Sequence, residues 1–233
     1  MSGALLVEQV KHYLSSCERL HIVREIVGSV IHNLHRILEK REFEEEVNFL
    51  KKCEEELKKT SSINELMLIE AKARRKYYST FERITGWEFE ERTFRPPENP
   101  LNALISFGNA MLYTAILNPI ISYLYEPSER RFSLALDIAE IFKPILVDKL
   151  VFRLINNKVI KISHFLKDLN FSYLSEEGRK IFVKNFDEML ENTILHCKLR
   201  RKVKYKTLIR LELYKLIKHL LGEKKFKALR VWW

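Results

Sequence analysis

Glycine and proline are scarce in this sequence, with six of each among 233 residues. All-β sandwiches, parallel βαβ folds and low-complexity chains need many more turn-forming residues, so the scarcity disfavours all three classes. Hydrophobic residues make up 46% of the chain, which is enough material for a sizeable core. The composition therefore predicts an all-α fold, in which residues 1–233 form one multi-helix domain with few connections.

Cysteine is also rare, because only Cys17, Cys53 and Cys197 occur and their spacing is not paired. This pattern excludes a disulfide framework and a cysteine-based zinc site, and it favours a reducing cytoplasmic location. A bilayer-spanning hydrophobic run is missing too, since polar residues and a proline interrupt the most apolar stretch, residues 112–124. The N-terminal residues do not fit a signal peptide. We therefore expect a cytoplasmic protein with no membrane association.

Positive charge is plentiful but unevenly distributed. The formal net charge is +10, and residues 197–233 contain 13 lysines and arginines against two acidic residues, whereas residues 1–196 are nearly neutral. A basic block of this kind on a helical chain is typical of a surface that contacts phosphates. This basic region, residues 197–233, predicts a nucleic-acid partner. A solvated helix face and a membrane-surface helix are the alternatives.

Two acidic residues lie within a nearly apolar helix that is predicted over residues 132–142. Asp137 and Glu140 are three residues apart and therefore share one helix face. A helix that is apolar on most sides is buried, and two buried carboxylates are costly unless positive charge offsets them. A divalent metal ion or a nearby arginine would serve, so a metal site and a structural ion pair both remain open.

Three other residues raise the same question of ligation. Glu70 lies in a helix predicted over residues 63–84, which begins at a capping box and ends at Gly86, and its spacing to Arg74 fits a plain helix ion pair. His32 and His35 share a helix face, but no metal-binding motif surrounds them. Structural or surface roles are therefore favoured for the two histidines.

The segment 124–148 (LYEPSERRFSLALDIAEIFKPILVD) resembles the most characteristic segment of the CRISPR-associated integrase family. Members of that family are metal-dependent DNA endonucleases that insert new spacers during CRISPR adaptation. Five further segments resemble family segments in the same order, over essentially the whole chain: 3–13 (GALLVEQVKHY), 70–78 (EAKARRKYY), 94–113 (FRPPENPLNALISFGNAMLY), 173–182 (YLSEEGRKIF) and 202–233.

The resemblance implies a metal site between helices. Glu70 corresponds to the first ligand of the family and Glu140 to the third, with Asp137 as a nearby acid, so these three residues are the implied catalytic set. Oxygen ligands suit Mg²⁺ or Mn²⁺. The family has histidine as its second ligand in an LHEP motif, whereas this chain has Tyr125 in LYEP. A neutral phenol is a poorer metal ligand than an imidazole.

The resemblance also implies DNA and protein partners. Family members work as homodimers with a small ferredoxin-like adaptation protein, and the β-rich domain that mediates the dimer has no counterpart in these residues. The chain is also shorter than the family pattern between residues 113 and 117. A catalytically impaired DNA-binding remnant and a helical interaction protein therefore remain alternatives to an active endonuclease. The expected DNA contacts are Arg74, Arg130, Arg131, Lys202, Lys204 and Lys206.

Overall fold

A computed structural model describes residues 3–93, 96–123, 133–167, 172–196 and 199–232. Within these ranges the chain is mainly helical, which confirms the all-α prediction. The α-helices are α1 (Gly3–Leu14), α2 (Ser16–Glu39), α3 (Glu44–Glu56), α4 (Ile63–Tyr78), α5 (Phe81–Thr85), α6 (Pro100–Tyr123), α7 (Ser133–Phe142), α8 (Lys149–Asn156), α9 (Glu176–Glu191) and α10 (Tyr205–Leu220).

Helix α2 lies at the centre of the fold. Its residues from Ile26 to Leu38 are buried almost without interruption, and the helix packs against α3, α4 and α7. Two polar residues of this stretch, Ser29 and Asn33, are fully buried and bond to backbone carbonyl groups of other segments. The central helix is therefore fixed by polar contacts as well as by apolar packing.

Helix α4 begins where the sequence predicts and ends earlier. The Ser62 side chain accepts a hydrogen bond from the backbone of Glu65, whose carboxylate in turn accepts from the backbone of Ser62. The predicted helix over residues 63–84 is interrupted, however, because the chain turns after Tyr78 and starts the short helix α5. Gly86, with a φ of 68°, ends that helix as expected.

Helix α7 runs into a wide π-helical turn, Lys143–Asp148, which leads directly to α8. Pro144 lies at the start of this turn, where its missing N–H does not break the preceding helix. The prediction that α7 is buried on most sides is wrong, because Leu136 is 44% exposed and Asp137 is exposed as well. Among the α7 residues whose side chains are described, Ile138, Ala139, Ile141 and Phe142 pack into the core.

A two-stranded antiparallel hairpin joins α9 to α10. Its strands are β1 (Thr193–His196) and β2 (Arg201–Lys204), with Ile194 opposite Val203. The sequence predicts further helices in this region, and that prediction is wrong for residues 193–196 and 201–204. The strands were missed because four residues are too few to show an alternating pattern.

The residues after α10 turn at Gly222, which has a φ of 72°, and return across α2. Residues 223–232, which we call the C-terminal segment, are held there by side chains of α2 and α10. His21 and His32 contact the carbonyl groups of Phe226 and Val231 at 3.0 and 2.9 Å. The C-terminal segment is therefore part of the core structure.

Helix α6 is long and strongly apolar. Residues 100–117, which only partly overlap the apolar stretch 112–124, are long and apolar enough to cross a membrane by length and composition alone. Half of this window is buried inside the fold. A core position therefore accounts for the apolar character of α6.

Candidate active site

Two carboxylates from different helices meet at one arginine. Arg74 Nε donates to Glu70 Oε1 at 2.8 Å within α4, and the Arg74 guanidinium also donates to Glu140 Oε2 of α7 at 2.5 Å. All three side chains are largely buried. The simple helix pair that the spacing of Glu70 and Arg74 predicts is thus present, but it extends to a third residue far along the chain.

A second cation completes this cluster. Lys143, at the start of the π-helical turn, donates to Glu140 Oε1 and also lies 5.2 Å from the centre of the Tyr113 ring. Burial alone would lower the pKa of Lys143, but the neighbouring Glu140 carboxylate outweighs it and the pKa is raised. The pKa of Arg74 is raised for the same reason. Both cations therefore stay charged beside the carboxylates.

Asp137 lies one helical turn from Glu140 and belongs to the same electrostatic cluster. Desolvation by the surrounding protein, followed by repulsion from Glu140 and Glu70, raises the pKa of Asp137 to about 6, although the side chain is exposed. Three acidic side chains thus share one region. A carboxylate that is repelled by two others gains from a nearby divalent cation.

These oxygen donors fit a hard divalent cation such as Mg²⁺ or Mn²⁺. Glu70 and Glu140 would hold it, and Asp137 would contribute charge or a further ligand. Arg74 bridges the two glutamates, so its guanidinium would have to move aside for a metal ion between them.

A cleft of about 790 Å³ lies beside this cluster. Its wall combines acidic, basic and aromatic side chains, which suits a charged ligand more than an apolar one. The residues that line it are Glu70, Ala71, Arg74, Arg75, Tyr78, Ser79, Glu90, Glu91, Arg92, Asn109, Tyr113, Glu140 and Lys143.

Asp148 is a buried acid near the site that sequence reasoning missed. It ends the π-helical turn and is only 3% exposed. Burial raises its pKa to about 7, although Arg74, Tyr77 and Lys143 act in the opposite direction. In the sequence, its burial is indicated only by its position as a single acidic residue directly after the apolar residues of KPILVD. Asp148 is therefore placed to respond to the same cations that hold the glutamates.

The expected DNA contacts do not converge on the cleft. Lys204 and Lys206 both pair with Glu191, and Lys202 is exposed on β2. None of these three residues lines the cleft, whereas Arg74 does. Three other predicted residues, Tyr125, Arg130 and Arg131, lie outside the described residues.

The fold and site define a helical domain with an acidic cluster between helices, next to a polar cleft. A family model described as "CRISPR associated protein Cas1" matches residues 1–188. The CRISPR-associated endonuclease Cas1 2 of Moorella thermoacetica is 58% identical over the whole chain, which covers 75% of that protein. The chain therefore belongs to the Cas1 family, and the resemblance to the CRISPR integrase family is confirmed.

Solved structures agree with this assignment. A Cas1 protein from Thermotoga maritima has a TM-score of 0.86 and 41% identity, with 97% of this chain and 73% of that chain covered. A casposase bound to its integration product has a TM-score of 0.84 over 98% of this chain and 69% of that one, and at 21% identity it shows the shared fold alone. The alignment with the Moorella relative is 241 positions long, against 233 residues here, so the relative has internal residues that this chain lacks.

Proposed function

We propose that this chain is an endonuclease and integrase of CRISPR adaptation that uses Mg²⁺ or Mn²⁺ at the Glu70–Glu140 site. Curated relatives that are 41% to 58% identical over the whole chain are named CRISPR-associated endonucleases, which supports nuclease activity. The observation that carries the site is the meeting of Glu70 and Glu140, from two helices, at a single cationic group. Carboxylates arranged in this way are the donors that a divalent metal needs.

The residues around the glutamates suit a phosphodiester substrate. A bound metal would polarise a phosphoryl oxygen and stabilise the attacking or leaving oxygen. Arg74 and Lys143 place two positive charges at the edge of the cleft, where they would orient phosphate groups. Asp137 adds negative charge that strengthens metal binding once it is ionised. Arg130 and Arg131, together with Lys202, Lys204 and Lys206 of the basic region 197–233, would contact DNA.

A catalytically impaired DNA-binding protein is the second candidate. Tyr125 stands where the family has its histidine ligand, and Arg74 already pairs with both glutamates. If the metal is bound too weakly for catalysis, the basic residues can still bind DNA. Changing Tyr125→His should then raise metal affinity and cleavage.

The proposal also covers the domain organisation, the cellular location and the partners of the chain. We propose that residues 1–233 act as one helical domain in the cytoplasm. A structure entitled "Partial Cas6-RT-Cas1--Cas2 complex" shares the fold with a TM-score of 0.82 at 22% identity. Together with the resemblance, it leads us to propose a homodimer and a small ferredoxin-like protein as partners. The molecular mass in solution, measured with and without such a protein, tests for the homodimer and for the complex.

Cleavage of branched and duplex DNA tests the proposed site. We expect cleavage by the wild type with Mn²⁺ or Mg²⁺ and none after chelation. Glu140→Gln keeps the shape of the side chain but removes its charge, and should reduce the rate by about 100-fold or more. Glu177→Gln, on the exposed start of α9, removes the same charge elsewhere and should leave the rate unchanged. Equal rates for Glu140→Gln and the wild type would refute the site.

A further inference from the structure

Two buried histidines of α2 face one glutamate of α3, in a cluster that shares no residue with the site of Glu70 and Glu140. His32 and His35 are one helical turn apart, and their ring centres are 4.7 Å from each other. His32 Nδ1 lies 3.6 Å from Glu54 Oε1, and His35 Nε2 lies 3.3 Å from Glu54 Oε2. One nitrogen of each ring therefore points at the same carboxylate.

The other nitrogen of each ring points at an oxygen atom that can only accept a hydrogen bond. His32 Nε2 lies 2.9 Å from the carbonyl oxygen of Val231, so this nitrogen must carry a hydrogen. His35 Nδ1 lies 3.5 Å from Glu39 Oε1, and neighbouring cations lower the pKa of Glu39 despite its partial burial. Glu39 is thus ionised, but at this distance His35 Nδ1 forms no hydrogen bond with it.

Burial acts to raise the pKa of the Glu54 carboxyl, but the neighbouring His32, His35 and Arg230 outweigh it and lower that pKa, so Glu54 is ionised. Two imidazole nitrogens and one ionised carboxylate therefore converge from α2 and α3. This combination of nitrogen and oxygen donors is typical of zinc sites in proteins.

The distances suit a tetrahedral metal ion. With metal–ligand bonds of about 2.1 Å, neighbouring ligand atoms of a tetrahedral zinc site are about 3.4 Å apart. The two nitrogen–oxygen distances, 3.6 and 3.3 Å, are close to that value, although they end on different oxygens of the Glu54 carboxylate. One ligand atom from each of the three residues lies within 4.8 Å of the others. Small side-chain movements would therefore complete the geometry.

We propose that His32 Nδ1, His35 Nε2 and the Glu54 carboxylate bind one Zn²⁺ ion, with water as the fourth ligand. Val231 would then act as the outer group that fixes the orientation of the His32 ring, as a carbonyl or carboxylate does at most histidine metal sites. Two imidazoles and one carboxylate select Zn²⁺ or Co²⁺ over Mg²⁺, in contrast to the all-oxygen cluster of Glu70 and Glu140.

The role of this ion would be structural. It would join α2 to α3, and through His32 it would hold the carbonyl group of Val231 in the C-terminal segment. The Trp232 ring lies 5.2 Å from the His32 ring and should report on the binding. We therefore expect Zn²⁺ to stabilise the packing of the C-terminal segment on α2.

Zinc uptake by the full chain tests the proposal. Protein that has been treated with a chelator is dialysed against low micromolar Zn²⁺ at pH 7.5, and bound metal is measured by mass spectrometry. We expect one equivalent that Mg²⁺ does not displace, an increase in the unfolding temperature, and a tetrahedral absorption spectrum with Co²⁺. Glu54→Gln, which changes a partly exposed side chain, and His35→Gln should each weaken uptake by at least about tenfold.

Two controls separate this site from others. Glu140→Gln should still bind one equivalent of zinc. If this variant binds no zinc, the metal belongs to the acidic cluster and the proposal is overturned. His12→Gln alters another His–Glu group, formed with Glu18 and His219, and should also keep the equivalent. Wild-type protein that binds no zinc, or unchanged uptake in both Glu54→Gln and His35→Gln, would equally overturn it. Circular dichroism in the presence of chelator shows which variants are folded. The zinc uptake of the wild type tests the proposal even if a variant does not fold.

Discussion

Buried charged residues concentrate where α4, α7 and the π-helical turn meet. Glu70, Arg74, Glu140 and Lys143 form alternating charges there, and Asp148 ends the turn nearby. Removing one member of such a group leaves its partner buried without compensation, which costs more than the pair contributes. A divalent cation that replaced Arg74 between the two glutamates, as the proposed function requires, would leave the guanidinium in need of other partners.

Asp148 gives a stability prediction with a defined sign. Its folded pKa of about 7 lies above its ordinary 3.8, so the folded state holds the proton more tightly than the unfolded state. The stabilising contribution is complete below pH 3.8 and disappears as the pH rises through about 7. The maximum loss is about 4 kcal/mol. Asp148→Asn mimics the neutral form and should flatten this part of the profile.

Urea unfolding at pH 5 and pH 8 measures this effect. Between these two values the wild type should lose more stability than Asp148→Asn, and the difference between the two proteins isolates Asp148 from the other titrating groups. A matched change at exposed Asp187, Asp187→Asn, should follow the wild type. Parallel profiles for the wild type and Asp148→Asn would show that Asp148 stays ionised throughout.

The sequence predicted part of this group of residues for clear reasons. Glu70 and Glu140 were identified through the family resemblance, because their spacing alone equally fits a helix ion pair. Asp148 was missed, since one acid after an apolar run gives no periodic signal. The facing of His32 and His35 toward Glu54 depends on how α2 packs against α3, which no local pattern encodes.

At the scale of elements, helix ends were more predictable than helix continuity. The capping box at Ser62 and the end at Gly86 are local features that each involve a few neighbouring residues. The break after Tyr78 is different, because Tyr77 and Phe81 are both buried and pack against each other across it, so tertiary packing decides it. The hairpin of β1 and β2 was missed for a different reason, because its strands of four residues are too short to show an alternating pattern.

The capping box allows a test at this scale. Ser62→Ala removes the acceptor for the Glu65 N–H at the start of α4, and should lower the free energy of unfolding by about 1 kcal/mol. DNA cleavage should persist, since Glu70 and Arg74 lie further along the helix. Ser61→Ala, which leaves the backbone bond from Ser61 to Glu65 intact, is the control and should change stability little. Equal stability of the two variants would contradict the role of the cap.

At the scale of the whole molecule, Asn33 connects three distant parts of the chain. Its side chain accepts from Val231 N at 3.0 Å and donates to the carbonyl oxygens of Ile141 and Leu229 at 3.1 and 3.3 Å. Asn33→Ala leaves these buried groups unsatisfied and should cost about 3 kcal/mol in urea unfolding. Asn64→Ala, on the exposed side of α4, should cost less than about 0.5 kcal/mol. Similar losses in both variants would argue against a buried junction.

The distribution of charge over the molecule decides between DNA binding and a purely protein-binding role. The excess of basic residues lies beyond residue 196, yet Lys204 and Lys206 are both paired with Glu191 on the surface. Exposed ion pairs of this kind are weak, so DNA phosphates can compete for both lysines. If both lysines contact DNA as proposed, the pairing with Glu191 would reduce the affinity for DNA without abolishing it.

Titration of DNA binding against salt tests this competition. The double variant Lys204→Ala and Lys206→Ala should reduce the slope of log K against log salt by about 2, because each lost phosphate contact contributes about one unit. Glu191→Gln frees both lysines and should strengthen binding at low salt. The control double variant Lys180→Ala and Lys184→Ala removes the same charge from α9, outside the basic region, and should change the slope less. Equal slopes for the two double variants would mean that the basic region 197–233 contributes only net charge. If the wild type binds no DNA, the helical interaction protein is the favoured alternative.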